Sequence, residues 1–246
     1  MSEISTKRTR TVPKSLKYLP SMWETLWLLG RNANHLSTRG QGEGVFLVAV
    51  SLKEQIFRWR LARLDSPERE RRAMSLSRAT SVGLVYLERD HAHFREVKEI
   101  GKMLKEKFGV KRVGFLSFVE EDEKNTPNWL VKKLGSGYFC KSDLNWHGWP
   151  VKEFEAFTDT SFDILIDLEL EPILPLKFVI RKSNAGMKVG VDGTEWCEDL
   201  DFRIVPEPAS KEDDLEEVDL ILKDPMEEWK AHTTKTLEYL SKIDFQ

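Results

Sequence analysis

The sequence predicts an α/β fold: a three-layer Rossmann- or flavodoxin-like sandwich around a mostly parallel sheet of about five strands, preceded by a basic N-terminal helix. Three observations lead there. From residue 81 onward, short β-rich runs alternate with amphipathic helical stretches. Two of those runs, VGLVYL at 82–87 and ILIDL at 164–168, are almost uninterrupted by polar residues, as strands covered on both faces require. A strand–helix–strand pattern also occurs twice, each time at the length of a parallel βαβ unit.

Taken in order, residues 1–45 hold turn formers (Pro13, Pro20, Gly30, Asn32, Gly40, Gly42) and no sustained periodicity. They read as a tail, or as sequence upstream of the true start; Trp23 and Trp27, four apart, suit one helical turn. Residues 46–77 read as a basic helical arm. Apolar residues recur there at three- and four-residue intervals with arginines between them, and Pro67 opens or interrupts a second helical piece at 68–74.

The α/β domain is placed at 78–246. Strand 81–87 comes first. Asp90 can then cap a helix whose apolar face is Phe94, Val97, Ile100, Leu104 and Phe108, and Gly109 ends it. A second strand at 111–119 is followed by a polar loop at 120–128 and a short helix at 129–134. The third strand is FDILIDL at 162–168; Pro172 and Pro175 open a helix running to Ser183, and 187–191 is the fourth strand. An edge strand at 201–205, an acidic linker at 207–219, a short strand at 219–222 and a last helix at 226–243 complete the reading.

Composition narrows the function classes. With 40% hydrophobic residues the 246-residue chain can build a core. The net charge of −3 hides an asymmetry, because the first 80 residues carry eight more basic than acidic side chains and the remainder is strongly acidic. Such a basic arm can track a phosphate backbone, or dock on the acidic part of its own chain or of a twin. Two distant cysteines, Cys140 and Cys197, read as free thiols in a reducing cytoplasm. No apolar run approaches the length of a membrane helix, and no signal peptide is recognised.

Common catalytic signatures are missing. The turn after the first strand, Glu88-Arg89-Asp90-His91, has no glycine to let backbone approach a pyrophosphate, and its carboxylates repel one. Neither a nucleophile elbow nor a metal-binding spacing occurs: His91 and His93 point to different sides of a helix start, and Cys140 with His147 is a weak thiol–imidazole pair. No catalytic residue, metal or cofactor is therefore expected. Better leads are the carboxylates at predicted strand ends, Glu88, Asp90, Glu120, Asp167 and Glu169, which suit a cation or sugar hydroxyls but equally suit loop charges and caps. The densest segment is YFCKSDLNWHGWP at 138–150. There Trp146 and Trp149 alternate with Asp143, Asn145 and His147, a mixture fit for stacking on a flat ligand while gripping its edge, or for pinning a loop to the core. Arg58, Arg60, Arg63, Arg69, Arg71 and Arg72 form the basic arm.

Ser142, Asp143, Leu144, Asn145, Trp146, Gly148 and Pro150, with FDILIDL and then Lys188-Val189-Gly190, resemble an uncharacterised family of small bacterial proteins over 81–243. That resemblance implies a basic helix followed by two βαβ units and brings no activity with it. The stretch from 162 to 191 is also similar to one strand–helix–strand of heptosyltransferase-type sugar transferases. Those enzymes carry much of the nucleotide-sugar site in a second domain, for which this chain has no room. The expectation is a non-catalytic binding or interaction module with the Trp146–Trp149 loop as its surface. A sugar- or nucleotide-like ligand enzyme using Asp167 and Glu169, and RNA or ribosome association through the arm, are the alternatives.

Overall fold

The computed structural model describes residues 52–130, 136–193, 197–205 and 224–243, all within one compact unit spanning Ala49–Gln246. The tail at 1–45, the acidic linker and the strand at 219–222 lie outside the described residues. Chain order runs α1 (Leu52–Ala62), β1 (Ser81–Glu88), α2 (His91–Phe108), β2 (Arg112–Val119), β3 (Ser136–Cys140), α3 (Glu155–Thr158), β4 (Ile164–Asp167), α4 (Leu174–Lys182), β5 (Met187–Val191), β6 (Phe202–Ile204) and α5 (Pro225–Lys242).

Six strands form one sheet in the order β3-β2-β1-β4-β5-β6, and every neighbouring pair is parallel. This is the strand order of the doubly wound dinucleotide-binding sheet. β1 and β4 are buried along nearly their whole length, which explains their unbroken apolar sequence. On one face Val82, Leu84, Ile164, Ile166 and Val189 pack against Val97, Ile100 and Leu104 of α2 and Trp229, Leu237 and Leu240 of α5. Gly101 allows that approach, since a methyl there would collide with the Phe115 ring. On the other face Val85, Leu116, Phe139 and Leu165 meet Phe157, Leu176, Val179 and Ile180.

Local chemistry explains the helix ends. The Asp90 carboxylate accepts from the His93 N–H, and Gly109 closes α2 in the left-handed conformation at φ 74°. Pro175 sits in the first turn of α4, where its missing N–H costs nothing.

The structure differs from the sequence expectation in three places. No second helical piece forms at 68–74: the chain there has no regular secondary structure, and the Arg72 N–H donates to the Gly186 carbonyl. Pro67 disfavours helix at the residue before it, and the Arg72 N–H, which a helix would use internally, bonds Gly186 instead. Residues 128–129 form a turn where a helix was expected, and 131–135 are outside the described residues. β3 is an additional strand, pairing with the rim of β2. Among the described residues no helix is long and apolar enough to cross a membrane.

Candidate functional site

In a sheet of this order, ligands bind beyond the carboxyl ends of β1 and β4, where the winding direction reverses. Here those strand ends are tied to each other by the protein's own charges. Asp167, the last residue of β4, accepts from Lys177 Nζ of α4 at 2.8 Å and from the Glu169 N–H at 3.2 Å. The side chains of that ion pair are 1% and 3% exposed. Glu169 reaches across to β1: it accepts from the Leu87 N–H at 2.7 Å and takes both arms of the Arg89 guanidinium, at 3.2 and 2.6 Å. Burial pushes the Glu169 carboxyl up, against the pull of Arg89. The N-terminus of α2, the usual phosphate cradle, carries the Asp90 carboxylate.

Beside this knot lies Glu88, buried at the end of β1. Neither of its oxygens has a hydrogen-bond partner of good geometry. Burial raises its pKa to about 7, although the Trp129 indole, the Tyr86 hydroxyl and Lys98 stand near enough to favour its charge. His93, wholly buried between Tyr86 and the Trp229 ring 4.4 Å away, is pushed the other way, to about 4, by burial and then Arg89.

The 138–150 segment is organised by one side chain. Asn145 Oδ1 accepts from the N–H groups of His147 (2.9 Å) and Trp149 (3.1 Å), while its backbone closes the turn with Trp149 and Gly148. Asp143 accepts from the Cys140 N–H and thiol, so it is a local cap for the turn following β3. Gly148 sits at φ 90°, and a Cβ there would lie 2.8 Å from Phe57 of α1. Trp149 packs on Phe57 and on Phe178 of α4. His147 is buried and receives Arg60 at 2.5 Å on Nε2; because guanidinium only donates, the ring proton resides on Nδ1. Trp146 is the one aromatic of the segment that turns outward, 70% exposed.

The loop and the arginine helix therefore make one surface. The Arg60 guanidinium stands 5.9 Å from the Trp146 ring and 5.8 Å from Trp149, and Arg63 covers the exposed Trp59 at 3.8 Å. The remaining arginines have other duties. Arg58 pairs with Glu54 and Arg72 with Glu70. Arg69 grips Asp201 with two bonds and two backbone carbonyls, with Arg71 3.6 Å from the same carboxylate. Asp167 and Glu169 lie together at the sheet's carboxyl edge, and neither has a hydrogen bond or ion pair with Arg60, Trp146 or His147. Lys177, Arg89 and Lys188 carried no sequence signal as site residues, because their partners are placed by the crossovers and not by local spacing.

A model of a family of unknown function, DUF6913, matches residues 53–204, more than half of the chain. The chain belongs to that family. The DUF6913 span opens at the second residue of α1 and closes on the last residue of β6, so it takes in the rest of α1, the Trp146 loop and the whole sheet. Its function is undefined. No curated protein and no solved structure matches the chain, heptosyltransferase-type enzymes included.

Proposed function

We propose that this DUF6913 protein is a non-catalytic interaction module on a Rossmann-order scaffold, and that its contact surface is Trp146 with Arg60 and the outer side of α1. The observation that carries this reading is the exposure of Trp146. Within S-D-L-N-W-H-G-W-P, the side chains of Asp143, Asn145, His147 and Trp149 are each engaged inside the protein, and together they hold one indole out in water beside a guanidinium. Tryptophan and arginine are the residue types that most often anchor protein–protein contacts, and an anchor already held in place loses little entropy on binding. The cationic rim suits a protein partner that offers carboxylates around an apolar pocket. Pairing of Arg58, Arg69 and Arg72 with acidic side chains leaves fewer charges for a phosphate backbone, which favours a protein over RNA. Internal pairing of Asp167 and Glu169 likewise supports binding over catalysis. The module's two thiols are both free, which suits a reducing cytoplasm.

Affinity capture with the wild-type chain and with Trp146→Ala tests this reading. The variant is expected to lose the captured protein while its Tm stays within about 2 °C, as removal of an exposed side chain should leave it. A Tm loss well beyond that would make Trp146 a packing residue. Retention of the same partner at the same yield would remove the indole from the contact.

A further inference from the structure

Toward the amino ends of the strands, the chain after α1 walls a cavity of about 290 Å³ against β5. Its lining includes Ser66, Glu68, Arg69, Arg71, Lys188 and Asp199. Lys188 is the unusual member. It is the second residue of β5 and only 1% exposed, yet its ammonium makes one hydrogen bond, to the Arg181 carbonyl at 3.2 Å. Among the described residues no carboxylate lies within ion-pairing distance of it. Of the nearby acids, Asp201 is held by Arg69 at 2.7 Å and Asp199 by Arg181 at 3.2 Å, and Glu68 is the other carboxylate on the lining. Arg71, with a largely exposed side chain, reaches Asp201 only at 3.6 Å.

Three cations thus converge on one cavity: Arg69 and Arg71 share the Asp201 carboxylate, and Lys188 has no ion-pair partner among the described residues. Burial, and then the Arg69 guanidinium, bring the Lys188 pKa down to about 8. An anion between Lys188 and Arg71 would relieve both that desolvation and the crowding of like charge. The volume is near the roughly 300 Å³ lower limit of small-molecule sites, enough for a phosphate group on a small organic body and too little for a dinucleotide.

We propose that this cavity is a binding site for a small phosphate-class oxyanion, with Lys188 and Arg71 as its cationic contacts. The competing account makes Lys188 only a cap for the last turn of α4, where a cation is favourable against the exposed carbonyls.

Calorimetry and thermal unfolding of the full chain separate the two, with inorganic phosphate and ribose 5-phosphate as probes at ionic strength held constant with sodium chloride. Saturable binding that Arg71→Ala and Lys188→Met each weaken at least tenfold, and that Trp146→Ala leaves unchanged, is the expected result. Tighter binding of the ester would place an organic group in the cavity, and equal binding would identify the free anion; both uphold the site. No saturable response in the wild type, or one that survives unchanged in the variants, overturns it. Should Lys188→Met fail to fold, Arg71→Ala carries the test alone, since its side chain is exposed.

Discussion

Glu88 and His93 lie near the start of α2 with opposite electrostatic debts. The Glu88 pKa is raised to about 7, so its folded-state contribution is complete below the ordinary carboxyl pKa and is lost as pH rises through 7. His93 is depressed to about 4, so its contribution is present above its ordinary pKa of 6.5 and is lost as pH falls through 4. Between about pH 4.5 and 6.5 the two slopes oppose each other and wild-type stability changes little. Glu88→Gln should remove one of them. Its stability relative to wild type is expected to rise by roughly 3 kcal/mol between pH 4.5 and 8, read by urea unfolding at each pH. A constant difference across that range would show that Glu88 is not buried in a charge-excluding site. Neither side chain's state was legible in the sequence. Glu88 stood out there only as a strand-end carboxylate, because its burial comes from packing by elements far along the chain.

At the scale of elements, α1 and the Trp146 loop are one structure in two pieces of sequence. Phe57 and Leu61 pack on Phe178, and the loop's Gly148 lies directly against Phe57. Gly148→Ala meets two obstacles, a left-handed backbone and a ring in the way of the new methyl. It should cost about 1–3 kcal/mol and speed amide exchange in α1 while leaving the sheet amides protected. Uniform loss of protection would instead mean that α1 and the sheet unfold as one unit. Sequence reading found α2, α4 and α5 with the central strands, since long periodic helices and unbroken apolar runs declare themselves. It gave α1 too great a length and read β3 as part of a loop. A five-residue edge strand containing glycine shows too short a period to stand out, and the chain after α1 is held by contacts from Arg69 and Arg72 to Asp201 and Gly186, far along the chain. The S-D-L-N-W-x-G-x-P motif was visible in full, yet its division into one presenting residue and four supporting ones was not. That division depends on where Phe57, Phe178 and Arg60 stand.

For the molecule as a whole, the parallel sheet has the order of a cofactor-binding fold and a crevice tied shut by Asp167–Lys177 and Glu169–Arg89. Asp167→Asn leaves the Lys177 ammonium buried without its counter-charge, so a loss of roughly 3–5 kcal/mol is expected. The double change Asp167→Asn with Lys177→Met should recover most of it. A single variant as stable as wild type would return Asp167 to consideration as a ligand contact. With the crevice serving stability, the proposed recognition surface is the indole held out beside Arg60. Calorimetric titration of the captured partner against wild-type and Trp146→Ala chains tests that assignment most directly. The account predicts an affinity loss of about 30-fold or more, the scale of an anchoring residue, with the fold intact. Equal affinity for the two chains would contradict it.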